Sequence, residues 1–105
     1  MWTTKMDSVR FTTQGCQAFG KLLKKYRQLK GWSLREAEAR IKERVNTKLS
    51  ASTLGDLERA AVTVKAETLL VLSQVGYGGI GFCHMIDILT EGRLVLCENG
   101  VKYEA

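Results

Sequence analysis

Apolar residues recur along this chain at intervals of three and four, broken by short polar stretches, the pattern of amphipathic helices packed into a bundle. Phe19, Leu22, Leu23, Tyr26 and Leu29 predict a first helix over about 14–30, with Thr12 or Thr13 as its cap and Gly31 as its stop. Ser33 caps a second helix, in which Leu34, Ala37, Ile41 and Val45 form one stripe. Glu36 stands at the capping-box position, and Trp32 precedes the cap as a hydrophobic staple. After the break at Asn46-Thr47-Lys48-Leu49, Ser50 caps a third helix whose Leu54 and Leu57 face inward. Past a second break at 60–63, Ala66, Leu69, Leu70, Leu72 and Val75 predict a fourth helix. Phe82, Met85, Ile86 and Leu89 predict a fifth.

The pattern changes at the end. Leu94 to Cys97 and Val101 to Tyr103 flank Glu98-Asn99-Gly100, and Asn-Gly favours a two-residue turn, so a β-hairpin is expected there. An isolated hairpin is marginal in water. It either docks on the bundle or pairs with another copy through Leu94, Leu96, Val101 and Tyr103. The fold class expected is therefore all-α, with 1–13 as an N-terminal arm, 14–91 as the helical domain and 92–105 as the hairpin.

Composition narrows the function classes. The 105 residues are 45% hydrophobic and 26% charged, which suits one globular domain. No apolar run approaches the roughly 20 residues of a membrane span, and Met1-Trp2-Thr3-Thr4-Lys5 lacks the apolar core of a signal peptide, so a cytoplasmic location is expected. Three widely spaced cysteines, Cys16, Cys83 and Cys97, do not make a disulfide framework, and reduced thiols are expected. The net charge of +5 suits a polyanionic partner. Ten of the sixteen basic residues lie between Lys21 and Lys48, against Glu36, Glu38 and Glu43. A lysine-rich solvated helix face explains part of that concentration equally well.

The order of elements resembles the Cro/lambda-repressor type of helix-turn-helix, the XRE family of DNA-binding regulators. Phe19-Gly20-Lys21-Leu22-Leu23-Lys24-Lys25-Tyr26-Arg27 is similar to that family's first helix, and Trp32-Ser33-Leu34-Arg35-Glu36 to the start of its second. The stretch from Ser52 to Ala60 resembles the recognition helix, and Val64 to Leu72 the fourth helix. Two departures stand out: about six extra residues between Ser33 and Glu58, and Ala60 in place of the glycine that closes the recognition helix.

The resemblance implies a non-catalytic regulator that binds duplex DNA as a homodimer, without a cofactor. Ala51, Ser52, Gly55 and Asp56 would face the bases, with Thr53 near the backbone. Strong base discrimination comes from bidentate Arg, Asn or Gln, and none stands at that tip. Affinity is therefore expected from phosphate contacts by Ser50, Ser52, Thr53, Lys48, Arg59 and the basic faces of the first two helices, including Lys24, Lys25, Arg27 and Arg35. Asp56 serves equally as a partner for Arg59. Leu57 is expected in the core, and Glu58 on a basic residue of the first or second helix. A protein-interaction module on the same scaffold is the alternative.

Other chemistry is poorly supported. Gly76-Tyr77-Gly78-Gly79-Ile80-Gly81 fits G-x-G-x-x-G, but a dinucleotide site needs a strand before it, and Lys65 to Thr68 opens that run as a helix. Cys83-His84 lacks the further ligands of a zinc centre. As neighbours on a helix, the two side chains point about 100° apart, unsuited to a catalytic pair.

Overall fold

The computed structural model describes residues 11–92, and within them every regular element is helical. Five α-helices follow one another: α1 (Thr13–Lys30), α2 (Leu34–Arg44), α3 (Ala51–Glu58), α4 (Ala66–Gln74) and α5 (Phe82–Leu89). A single 3₁₀ turn, Tyr77–Gly79, lies between α4 and α5. The predicted hairpin, with Leu94, Leu96, Val101 and Tyr103, lies outside the described residues.

Local chemistry sets the helix ends. The Thr12 hydroxyl accepts from the Gly15 amide at 2.9 Å, and Gly31 closes α1 in the left-handed conformation, φ 74°. At α2 both halves of the capping box form: the Glu36 amide donates to Ser33 Oγ at 3.1 Å, and the Ser33 amide donates to Glu36 Oε1 at 2.8 Å. Ser50 Oγ accepts from the Thr53 amide at 3.2 Å and starts α3. Ala60, just past α3, holds φ 56°, a conformation that glycine adopts without cost.

The core joins Phe19 and Leu23 of α1 to Ala37 and Ile41, Leu54 and Leu57, Leu69 and Leu72, and Met85 and Leu89 from the other four helices. Helix α1 packs against both α3 and α5. It does so at glycine notches. A Cβ on Gly20 would sit 2.6 Å from the carbonyl oxygens of Leu57 and Glu58, and one on Gly15 would overlap the Leu89 carbonyl. Leu29 and Leu70, assigned to apolar stripes by spacing, are exposed. Leu29 lies about 120° around α1 from Leu23, off the inward face.

Trp32, expected as a staple, packs with Tyr26 and Tyr77 at centroid distances of 6.2 and 6.5 Å. Cys16 is a free, half-buried thiol that burial pushes above its ordinary pKa, whereas Cys83 is disulfide-bonded rather than reduced. The run before the glycine-rich loop is helix α4, so the strand that a dinucleotide fingerprint requires is replaced by a helix. Gly76, Gly78 and Gly79 instead make a turn at positive φ. No helix among the described residues is long and apolar enough to cross a membrane.

Candidate nucleic-acid interface

Helix α3 is eight residues long, so its surface divides cleanly. Leu54, Gly55 and Leu57 are buried, Ser52 and Arg59 are exposed, and Ala51, Thr53 and Asp56 lie half-buried between them. Gly55 was expected to face bases and does not. It lies under α2, where a Cβ would come within 3.2 Å of Leu34 Cδ1. The missing side chain lets the two helices approach, a role in packing rather than in reading.

Arg27 also departs from expectation. Its guanidinium reaches Glu58 through Nε at 2.7 Å and through Nη2 at 2.9 Å, while Nη1 donates to the Trp32 carbonyl at 3.0 Å. The Arg27 and Glu58 side chains are only 14% and 6% exposed. All three donor groups are occupied inside the bundle, so Arg27 is a structural cation. The expectation that Glu58 pairs with a basic residue of the first or second helix is met by Arg27 of the first, and Leu57 is in the core. Above the pair, the Tyr77 hydroxyl is buried without a hydrogen-bond partner among the described residues, and burial pushes its phenol up to about 12.

Seven of the remaining candidates gather around two hollows flanking α3. The first, about 470 Å³, is lined by Arg35, Ser50, Ala51 and Ser52 together with Glu38 and Lys42. The second, about 790 Å³, brings Lys48, Thr53 and Asp56 beside Thr47, Thr63 and Lys65. Arg35, Lys42, Lys48 and Lys65 are exposed at these rims. Lys24 and Lys25 are exposed on α1 but line neither hollow.

Two acids temper this surface. Asp56 Oδ1 lies 2.6 Å from Arg59 Nη2, which favours the structural alternative for that aspartate. Glu38 Oε1 accepts from the Ala51 amide at 2.8 Å, and its Oε2 lies 2.7 Å from Lys42 Nζ. The Lys42 ammonium and the Ala51 amide hold the Glu38 carboxyl below its ordinary pKa. The first amide of α3 is thus already taken by a carboxylate of α2. Glu38, Lys42, Thr63 and Lys65 were missed from sequence; the four-residue spacing of Glu38 and Lys42 marked a helix-surface pair, but nothing local shows that the carboxylate reaches α3.

Among the described residues no group of three or more His, Cys, Asp or Glu side chains is arranged to hold a metal. Comparison with family models, with curated proteins and with solved structures finds no match for this chain.

Proposed function

We propose that this chain binds duplex DNA without catalysis, as a transcriptional regulator, with α2 and α3 acting as a lambda-repressor-like helix-turn-helix and α3 entering the major groove. One observation carries the reading: the first turn of α3 stands exposed at Ser52, between one hollow edged by Arg35 and Lys42 and another edged by Lys48 and Lys65. Arg35 on one flank of this helix start, and Lys48 and Lys65 on the other, are placed to neutralise the two phosphate strands that border a groove. The small side chains of Ala51 and Ser52 permit close approach. With no Arg, Asn or Gln at the tip, the affinity rests on phosphates, and specificity on DNA shape and on two half-sites read by a homodimer, about 34 Å apart.

A second reading, a protein-interaction module, is favoured by the two carboxylates, Glu38 and Asp56, that already engage the Ala51 amide and Arg59. Titrating labelled duplex DNA against salt separates the two. DNA binding driven by phosphates weakens with a log–log slope of about −0.9 per phosphate neutralised, and Arg35→Ala or Lys48→Ala each makes that slope shallower by about 0.9. Lys24→Ala/Lys25→Ala reports whether the exposed face of α1 joins the contact. No binding at about 50 mM salt would overturn the DNA reading.

A further inference from the structure

A helix start leaves its first four amides without intrahelical acceptors. At α3 those four are the amides of Ser50, Ala51, Ser52 and Thr53, and two of them find acceptors inside the protein. The Thr53 amide donates to Ser50 Oγ at 3.2 Å, and the Ala51 amide to Glu38 Oε1 at 2.8 Å. The Leu54 amide then makes the first intrahelical bond, to the Ser50 carbonyl at 2.9 Å.

Glu38 does two things that oppose each other at a DNA surface. Its oxygen anchors the first residue of α3 from the neighbouring helix, which fixes how α3 projects. Its charge stands in the hollow beside Ser52 and occupies Lys42 at 2.7 Å. The group is about a quarter exposed, at 27%, so its field reaches solvent. A phosphate that approaches Ser52 or Lys42 meets an anion, and Lys42 is already paired.

We infer that Glu38 sets the DNA affinity of this protein: it positions α3 through the Ala51 amide while its negative charge holds phosphate binding below what the hollow would otherwise support. The inference rests on the DNA-binding reading. Its distinguishing feature is that acceptor and charge are separable, because glutamine keeps an oxygen for the Ala51 amide and removes the charge.

The test compares wild type, Glu38→Gln, Glu38→Ala and Glu43→Gln by fluorescence anisotropy on labelled duplex DNA over a range of salt, with thermal melts showing that each variant is folded at the assay temperature. Glu43 is an exposed acid of the same helix, so Glu43→Gln makes the same change in net charge away from α3. Glu38→Gln should tighten binding about tenfold at low salt, the scale of a like-charge contact at the surface. Its log–log slope should steepen by about 0.9 as Lys42 becomes free for a phosphate. Glu38→Ala should bind more weakly than Glu38→Gln, because the Ala51 amide loses its acceptor. Equal gains from Glu38→Gln and Glu43→Gln would reduce the effect to net charge and overturn the inference. Equal affinities for Glu38→Gln and Glu38→Ala would overturn the positioning half. If wild type binds and Glu38→Gln gains nothing, the inference alone falls; if none of the four binds DNA, the DNA reading falls with it.

Discussion

Replacing Glu58 by alanine should cost this domain a large part of its stability. The carboxylate takes two hydrogen bonds from one guanidinium, at 2.7 and 2.9 Å, with 6% of its side chain exposed. Removing it strands the Arg27 charge where only 14% of that side chain meets water. Breaking such a pair costs about 3–5 kcal/mol, because the remaining ion keeps its desolvation penalty and loses its partner. Water still touches Arg27, so the lower end, about 3 kcal/mol, is expected. In a domain of this size, about 3 kcal/mol corresponds to a fall in Tm of about 12–24 °C. Arg27→Ala should cost a similar amount and also free the Trp32 carbonyl and the rim of the aromatic cluster. The decisive measurement is a double-mutant cycle by urea denaturation. Arg27→Met/Glu58→Met removes both charges and fills the space with apolar chain, so it should be more stable than either single methionine variant, with a coupling of about 2–3 kcal/mol. Losses below about 1 kcal/mol for the single variants, or strict additivity, would refute this account, since exposed ion pairs behave that way. The same series bears on Arg27 as a phosphate contact: Arg27→Met, assayed where it is folded, should leave the salt slope of DNA binding unchanged.

Other outcomes follow from single positions. Ala60→Gly should stabilise by about 0.5–1 kcal/mol in urea denaturation, since relief of the left-handed strain at φ 56°, about 1–2 kcal/mol, is partly offset by the greater freedom of glycine in the unfolded chain; a destabilised variant would sink the idea. Gly20→Ala should lose about 3 kcal/mol, because its Cβ would press at 2.6 Å on two backbone carbonyls that cannot swing aside, and a neutral result would show that α1 has room to move. Glu36 and Glu38 have carboxyls held below the ordinary 4.5, Glu36 chiefly by the Ser33 amide and Glu38 chiefly by Lys42. Groups depressed in the folded state contribute stability that is present above the unfolded pKa and lost as pH falls through the folded one. Tm should therefore decline below about pH 4.5, more gently in Glu36→Gln/Glu38→Gln; identical pH profiles would refute this assignment.

What the sequence disclosed and what it hid follow the range of each interaction. The Thr12 cap, the Gly31 stop, the Ser33–Glu36 box and the Ser50 cap each depend on four or five consecutive residues, so their chemistry is readable in order. Leu54 and Leu57 follow from helical spacing in the same way. Arg27 and Glu58 are separated by 31 positions, and only the crossing of α1 and α3 shows which lysine or arginine is taken out of solvent. Gly55 misled because a residue without a side chain carries no periodic signal; its burial is decided by Leu34 on another helix. Glu38 looked like one more surface charge until the connection from Val45 to Ser50 brought the start of α3 back against α2. The placement of Lys24 and Lys25 away from both hollows is likewise a matter of helix orientation, invisible to charge clustering.

Helix α1 meets α3 at one glycine notch and α5 at another, five positions further back, on different sides of its cylinder. A screw turn or an axial slip that kept one notch seated would drive a Cβ or a neighbouring side chain into carbonyl oxygens at the other. The separation of α3 from α5 is therefore locked by the ruler between Gly15 and Gly20. A side chain at either notch would force α1 away from one of its two neighbours and so change the spacing between them.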